Sequence, residues 1–285
     1  MTRYVTLAYG HAPGVYRQSV MLLVSLVAHA PEPYELLVAT DRPDAYVWFG
    51  THVEIEYLDA ARLAAWRGGD AFSMRQKLEL ARLAADARRT PSAAATVLLD
   101  ADVLARKPLD AFVARLHAGD IFMHKREYVL SRSRRAGNRK LWATLRSLPP
   151  PAGGDAFRED DSMWNSGVLA MPAADRAALD QALAMYDRLG AAGLRHFATE
   201  QLVEGVVLGR TGRLKAADEW FVHYWGNKPG YDAEIARRLA DAFIEGMSVK
   251  EAAARYREQP IDLPVEVRPS RGQKFATWIG RRRNS

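Results

Sequence analysis

Short apolar runs of strand length alternate along this chain with longer segments of good helix formers. The apolar runs lie at 4–8, 35–40, 53–58, 97–99, 120–124 and 167–171. The helix-forming segments lie at 18–29, 74–87, 109–116, 173–189 and 199–208. Strands that are apolar throughout, rather than on one face, are typical of a parallel sheet covered by helices on both sides. The sequence therefore predicts an α/β fold with a mostly parallel central sheet.

Three further features complete the organisation of the chain. The alternation breaks between 125 and 161, and a long excursion of this kind is typical of a lid, a binding loop or disorder. The helix over 199–208 is predicted to begin with Thr199 as its N-cap. A pair of helices, separated near Gly246, is predicted over 232–258.

Composition limits the chemistry that is available. The 285 residues include no cysteine, which excludes disulfides and thiolate metal sites and leaves carboxylate and imidazole as the candidate metal ligands. Because no segment has the length and apolarity of a secretory leader or a spanning helix, we expect a soluble or peripheral protein. A net charge of +6 favours an anionic partner, such as a nucleotide, a phosphosugar, a nucleic acid or an anionic lipid.

Two carboxylates end the most apolar of the predicted strands. The segment TVLLDADVL places Asp100 and Asp102 at the carboxyl end of the strand, the edge at which open α/β sheets bind ligands. One interpretation is a divalent cation held by Asp102 and Asp100 and bridged to a diphosphate. The other is a turn in which Asp102 starts the reversal and Asp100 caps a backbone group.

Other polar motifs follow in the second half of the chain. The segment DSMWNSGVLAMP sets Asn165 and Gly167 just before a buried strand, where a glycine allows close approach of a ligand. The segment TEQLVEG places Glu200 in the first turn of a helix, where it either serves a site or suits the helix dipole. The segment HYWGNKPGY adds His223 and Lys228 in an aromatic turn.

Together these motifs resemble the glycosyltransferases of the A-type (GT-A) fold. The resemblance is strongest to family 8, the group that contains glycogenin and bacterial lipopolysaccharide galactosyl- and glucosyltransferases. Its landmarks are YVTLAYG, SLVAH, LLDADVL, WNSGVLAMP, TEQLVEG and HYWGNK, which occur here in the family's order between about 4 and 231. It implies a Rossmann-like, mostly parallel sheet flanked by helices, in a catalytic domain over 1–231 with a helical C-terminal extension over 232–285.

The resemblance also implies a metal and a diphosphate site. Asp100 and Asp102 stand at the family's D-x-D and His223 at its late histidine, which implies that the three hold Mn²⁺ or Mg²⁺ against a nucleotide diphosphate. Lys228 matches the lysine on the diphosphate, and Gly226 the glycine that lets this turn pack near it. The family's late motif usually reads H-x-x-G-x-x-K-P-W, whereas one residue is missing here before the lysine.

The resemblance also implies which residues lie beside the transferred sugar and the acceptor, here called the sugar side. Asn165 matches the motif that lines the sugar and acceptor, and Glu200 and Gln201 match the acidic residue and glutamine beside the anomeric carbon. Glu200 replaces the more usual aspartate. The resemblance implies retention of anomeric configuration, and inversion would use Asp161 or Glu200 as a base.

Four residues of the first half of the chain are further candidates for binding the donor. Tyr9 either stacks on a uracil ring or packs within the protein, and Thr6 belongs to the same first-strand motif. Lys77 either adds positive charge near the diphosphate or is a solvated helix residue, and the same two interpretations apply to Arg75.

The predicted function is transfer of a hexose from a UDP-sugar to a glycan or lipid-linked acceptor. Breaking the bond between sugar and phosphate develops negative charge on the departing diphosphate, which a metal ion and a lysine stabilise. The alternatives are a nucleotidyltransferase that forms sugar nucleotides and an inert relative that only binds them. Nucleic acid is not an expected partner, because SRSRR is not interleaved with exposed aromatic residues.

The C-terminal segment is both basic and aromatic. Phe275, Trp278 and Ile279 stand among Lys274 and the three arginines at 281–283. Such a segment either lies on an anionic membrane surface or forms a solvated tail. The membrane interpretation predicts a cytoplasmic enzyme held peripherally on the inner face of the plasma membrane.

Overall fold

The computed structural model describes residues 1–69, 74–86, 93–149, 156–194 and 196–266 of the chain. The strands of these residues are β1 (Thr2–Ala8), β2 (Tyr34–Thr40), β3 (Glu54–Tyr57), β4 (Ala95–Leu99), β5 (Val103–Ala105), β6 (Ile121–Val129), β7 (Ser162–Pro172), β8 (Leu214–Ala216) and β9 (Phe221–His223). The α-helices are α1 (Pro13–His29), α2 (Ala60–Arg67), α3 (Arg75–Ala84), α4 (Asp110–His117), α5 (Ala136–Ser147), α6 (Ala177–Ala191), α7 (Thr199–Gly209), α8 (Lys228–Ile244) and α9 (Val249–Glu258).

A seven-stranded sheet forms the centre of the molecule, in the order β3-β2-β1-β4-β7-β6-β8. β1 pairs in parallel with β2 and β4, and β2 pairs in parallel with β3. β7 runs antiparallel to its neighbours β4 and β6, while β8 is parallel to β6. The predicted α/β fold with a mostly parallel, Rossmann-like central sheet flanked by helices is therefore confirmed.

Both faces of the central strands are covered, which explains why their sequences are apolar throughout. In β1, Tyr4 packs into the core beneath α1, α8 and α9, whereas the next residue, Val5, packs into the core beneath α3. Leu36 and Leu37 of β2 divide between the same two cores. Successive side chains of a strand point to opposite faces, so a strand buried on both faces needs apolar residues at every position.

The sequence prediction falls furthest short of the observed length at two strands. β6 continues past 124 to Val129, and β7 begins at Ser162 rather than at Gly167. The added part of β6 is polar and half exposed, with register shifts against β7, so the apolar pattern ends before the strand does. Because α5 also forms within it, the predicted excursion over 125–161 is wrong for much of its length; 150–155 lie outside the described residues.

A second, two-stranded sheet has no counterpart in the sequence prediction. It pairs β5 with β9 in antiparallel register, with Val103 opposite His223. Three residues are too few to show a periodic pattern, so such strands are formed by their tertiary partners. This pairing joins the segment after the acidic motif to the segment that ends in the late histidine.

The C-terminal helices α8 and α9 form the predicted pair around Gly246, which has a φ of +66°. Ser248 and Glu251 form a capping box at the start of α9. α8 begins at Lys228 and therefore crosses the boundary predicted between 231 and 232. Tyr256 of α9 lies in the same core as α1. The two helices extend the core beside the sheet instead of forming one of their own.

Helix α7 packs closely against β7. A Cβ at Gly205 would lie 2.9 Å from the carbonyl oxygen of Ser162, so glycine is required for this approach. The predicted N-cap is wrong by one residue, because Ala198 occupies that position and Thr199 Oγ1 instead donates a hydrogen bond of 2.6 Å to the carbonyl oxygen of His196.

Among the described residues, no helix combines the length and apolarity needed to cross a bilayer. The basic aromatic segment over 274–285, for which a membrane contact is predicted, lies outside the described residues.

Candidate metal centre

The acidic motif lies at the junction between the two sheets. Asp100 follows the last residue of β4, and its backbone N–H donates a hydrogen bond of 2.9 Å to the carbonyl oxygen of Gly167. Its own carbonyl oxygen accepts one of 3.1 Å from the N–H of Val103, which closes a tight turn. Asp102 follows within that turn, so the two carboxylates converge at the carboxyl end of β4.

His223 reaches the same place from the end of β9. Its Nε2 lies 3.3 Å from Asp102 Oδ1 and 3.9 Å from Asp100 Oδ2. One ligand atom from each of the three side chains lies within 4.8 Å of the other two. Asp102 and His223 are buried and Asp100 is partly exposed, which leaves one open side. The predicted convergence of these residues is present in the fold.

Gly167 makes room for the imidazole. A Cβ at this position would lie 2.3 Å from His223 Nδ1, far inside van der Waals contact. The sequence prediction for this glycine was close approach of a ligand to its backbone. In the structure it is the His223 ring that approaches it.

Asn165 orients the His223 ring. Its Oδ1 lies 2.8 Å from His223 Nδ1 and also accepts a hydrogen bond of 3.1 Å from the backbone N–H of Gly167. Because a backbone N–H only donates, the atom it meets is the amide oxygen, and the network assigns the hydrogen of His223 to Nδ1. Nε2 then faces the two carboxylates, so that its lone pair would be directed at a cation once this nitrogen releases its proton, the orientation that a metal ligand requires.

Lys228 contributes positive charge to the cluster. Its Nζ lies 2.9 Å from Asp102 Oδ2. Burial by itself would raise the pKa of Asp102, but the hydrogen bonds and positive charges of His223 and Lys228 outweigh it and hold that pKa below its usual range. The shortened turn thus brings its lysine to the acidic motif as α8 begins. Gly226 lies against the C-terminal segment, where a Cβ would be 2.9 Å from the carbonyl oxygen of Val265.

Lys77 is buried beside Asp100 and is not a solvated helix residue. Its Nζ lies 2.8 Å from Asp100 Oδ1 and 3.0 Å from Glu200 Oε1, and it donates a hydrogen bond of 2.6 Å to the carbonyl oxygen of Ser166. Burial alone would lower the pKa of Lys77, but the surrounding carboxylates outweigh it and raise that pKa. Arg75 instead pairs with Asp187 and Glu79, away from the cluster.

His124 packs against the ring of His223. Its ring meets the His223 ring edge to face, with 5.5 Å between centroids. Burial, followed by the charges of His223 and Lys125, lowers the pKa of His124 to about 3, so this imidazole is neutral at physiological pH. His124 therefore supports the His223 ring without adding a charge to the site.

Glu127 is a site residue that sequence reasoning missed. Its carboxylate lies 3.5 Å from the amide nitrogens of both Asn165 and Gln201, and its side chain is exposed. Two residues predicted for the sugar side are thus joined by a third on β6. The only signal in the sequence was a polar stretch at the end of an apolar run, which the prediction assigned to the excursion.

Two other predicted residues have partners elsewhere in the described fold. Asp161 pairs with Arg210 at 2.8 Å and accepts a hydrogen bond of 2.8 Å from the backbone N–H of Arg158. It precedes β7 and has no described contact with the cluster. The Thr6 hydroxyl is buried and donates a hydrogen bond of 2.9 Å to the carbonyl oxygen of Leu99, which ties β1 to β4.

Tyr9 lines a cavity of about 160 Å³ beside the cluster. The cavity lies at the carboxyl ends of β1 and β4, with Lys77 and Asp100 in its wall. The Tyr9 hydroxyl donates a hydrogen bond to Gln76 Oε1, and its ring is partly exposed. Larger cavities of about 450 and 730 Å³ occur elsewhere, but no residue of the cluster lines them.

The donor set fits a hard divalent cation. Neighbouring ligand atoms of an octahedral ion with bonds of about 2.1 Å lie about 3 Å apart. The Nε2 distances of 3.3 and 3.9 Å therefore need only a small contraction. Two carboxylates and an imidazole are ligands that several divalent cations accept, and the donors alone do not select one of them.

Comparison with known proteins identifies no family. No protein-family model matches the chain, and no curated protein matches it in a sequence search. Function must therefore be inferred from the geometry of the site and from the motifs in the sequence.

Proposed function

We propose that this chain is a metal-dependent glycosyltransferase that moves a hexose from a UDP-sugar to an acceptor. The observation that carries the proposal is the convergence of Asp100, Asp102 and His223 at the carboxyl end of β4, with Lys228 on Asp102 and, beside them, a cavity that has Tyr9 in its wall. A metal ion next to a cavity with an aromatic wall matches a nucleoside diphosphate, which needs its charge neutralised and its base stacked.

We further propose that the fold is of the GT-A type. The strand order β3-β2-β1-β4 with parallel pairing, followed by an antiparallel β7, supports this assignment. So does the position of the acidic motif, because ligands of open α/β sheets bind at the carboxyl ends of the strands.

In this mechanism the chain's own residues act on the leaving group. Mn²⁺ or Mg²⁺, when bound, supplies a Lewis acid that neutralises the charge developing on the departing diphosphate. Lys228, half exposed and 2.9 Å from Asp102, is free to turn toward a phosphate oxygen. Lys77 is buried and contacts Asp100 and Glu200, so its role would be to hold Asp100, one of the residues that would bind the ion.

The sugar-facing side is formed by polar groups around Asn165. Glu127 and Gln201 offer a carboxylate and an amide that match the hydroxyls of a hexose. The acceptor, a glycan or a lipid-linked saccharide, would approach from this exposed side. Retention of configuration and a peripheral position at the inner face of the plasma membrane belong to the same proposal.

Thermal unfolding with nucleotide and metal tests the proposal. UDP with Mn²⁺ at about 100 times its Kd should stabilise the chain by about 2.7 kcal/mol, a rise in Tm of roughly 5 °C, whereas UDP alone should not. Asp102→Asn should abolish the rise. Asp44→Asn, which alters an exposed aspartate paired with Arg42, is the matched control and should retain it. Equal stabilisation of wild-type protein with and without metal would contradict the proposal.

An inert nucleotide-sugar-binding relative is the second candidate. The pairing of Lys228 with Asp102 favours it, because the lysine occupies one of the oxygens that a catalytic ion would use. Release of UDP from a panel of UDP-sugars separates the two candidates, since only an active enzyme turns the donor over. Stabilisation by UTP with a sugar phosphate, in place of UDP, would instead support a nucleotidyltransferase.

A further inference from the structure

Glu204 is a fully buried acid beside the candidate metal centre. It lies on α7, one turn after Glu200, and has no exposed surface. Neither of its carboxylate oxygens accepts a hydrogen bond from any donor within the described part of the chain. An ionised carboxylate in such a place would lack every interaction that compensates for burial.

The charges around Glu204 also oppose its ionisation. Among the described residues, the buried cation Lys77 contacts Asp100 and Glu200, and its positive charge also acts on Glu204. Lys77 already contacts the carboxylates of Asp100 and Glu200, so an ionised Glu204 would add an unbalanced negative charge to a dry interior. Neutralisation by a proton removes that charge.

The neighbouring carboxylate provides an acceptor for the proton. Glu200 Oε2 accepts a hydrogen bond of 3.0 Å from Ser166 Oγ, while Oε1 accepts none with good geometry within the described residues, although Lys77 Nζ lies 3.0 Å away. Glu204 lies four residues after Glu200 on α7 and within hydrogen-bonding reach of it, so a carboxylic acid at Glu204 would donate to the Glu200 carboxylate, whereas two ionised carboxylates would repel.

We propose that Glu204 keeps its proton at neutral pH and donates it in a hydrogen bond to Glu200, as a positioning residue for the metal centre. Glu200 is thereby held against Lys77 and Ser166, and Lys77 against Asp100. These contacts would hold Asp100 in one orientation for binding the cation. The functional part of this inference rests on the proposed metal-dependent function, whereas the protonation of Glu204 does not.

Burial agrees with this assignment. Desolvation first, and then the negative charge of Glu200, raise the pKa of Glu204 well above its ordinary value. The opposing charge of Lys77 is already engaged by two other carboxylates. The proton of Glu204 therefore determines whether Glu200 is held in place, and Glu200 in turn contacts Lys77, which contacts Asp100.

Infrared spectroscopy tests the protonation directly. A protonated carboxyl group absorbs apart from ionised carboxylates, so the difference spectrum between wild-type protein and Glu204→Gln at pH 7 should contain a carboxylic acid band. The amide of the variant keeps an N–H donor toward Glu200 and avoids a buried charge. Absence of that band would overturn the assignment.

Titration with Mn²⁺ alone tests the positioning role, with the paramagnetic signal of the free ion as the readout. Glu204→Met retains bulk but offers no donor, and its Kd for Mn²⁺ should rise by about threefold to tenfold. This is less than the 10–100-fold typical of groups that bond a metal ligand directly. Glu204→Gln should restore the affinity to within about twofold of wild type.

The outcomes separate the two proposals. Equal Mn²⁺ affinity in Glu204→Met and wild type would refute the positioning role, even if the variant were less stable. Failure of wild-type protein to bind Mn²⁺ would defeat the proposed function and the positioning role together. The carboxylic acid band would still decide the protonation of Glu204.

Discussion

Replacing Gly167 with alanine is expected to disable the candidate metal centre without unfolding the protein. The new Cβ would lie 2.3 Å from His223 Nδ1 and 2.7 Å from the Cγ and Cε1 atoms of the same ring. Ordinary contact requires about 3.5 Å, so the ring must retreat by about 1 Å. Because an imidazole is rigid, the whole side chain has to move.

The size of the effect follows from what this movement breaks. It lengthens the 2.8 Å hydrogen bond between His223 Nδ1 and Asn165 Oδ1 and carries Nε2 away from the carboxylates. Loss of a group that orients a metal ligand typically costs 10–100-fold in affinity, which is about 1.4–2.7 kcal/mol. Overpacking adds about 1–3 kcal/mol of lost folding stability.

Mn²⁺ titration and thermal unfolding of the same samples measure the two effects. Gly137→Ala is the matched control, because Gly137 lies on the exposed side of α5 and a Cβ there meets nothing within 4 Å. It should leave Mn²⁺ affinity unchanged and stabilise the fold by at most about 1 kcal/mol. A folded Gly167→Ala protein with wild-type Mn²⁺ affinity would refute the role of His223 as a ligand fixed by close packing.

Other substitutions test the remaining parts of the site. Asn165→Leu should lower Mn²⁺ affinity about tenfold by calorimetry, since His223 loses the acceptor that orients it, and unchanged affinity would argue against that role. Lys77→Met should destabilise the fold by about 3–5 kcal/mol in denaturant, because it leaves the buried Glu200 carboxylate without its cation, and adding Glu200→Gln should recover part of the loss. Burial, then the charge of Glu200, raises the pKa of Glu204, so the folded state keeps a proton that the unfolded state loses above about pH 4.3. Relative to Glu204→Gln, the free energy of unfolding of the wild-type protein should therefore fall as pH rises toward the folded-state pKa of Glu204, by up to about 1.4 kcal/mol per pH unit. Parallel curves of this free energy against pH for the two proteins, between about pH 5 and 8, would exclude the pKa shift.

The order of elements was largely predictable from sequence. β1, β2 and β4 each contain a run of mainly apolar residues because both of their faces are buried, and this pattern separates them from amphipathic helices. The acidic motif was locatable for the same reason, since it ends a strand whose carboxyl end must lie at the ligand-binding edge of the sheet.

Other parts of the site depended on contacts that local sequence does not encode. Lys77 has a typical helix-surface sequence context, yet it is buried because three acidic side chains surround it. Asp161 stood beside a motif of the sugar side, but Arg210 from the end of α7 binds it. Glu127 was not recognised because β6 continues as a polar strand.

The sequence by itself determined the layered α/β architecture and the residue types available for a cation, because hydrophobic periodicity and amino-acid chemistry are local properties. Only the tertiary structure decided that His223 meets Asp100 and Asp102, through the pairing of two three-residue strands and the space left by Gly167. A metal centre needs atoms from distant segments to lie within a few ångströms. That proximity comes from how sheets and helices pack, for which no single segment carries a pattern.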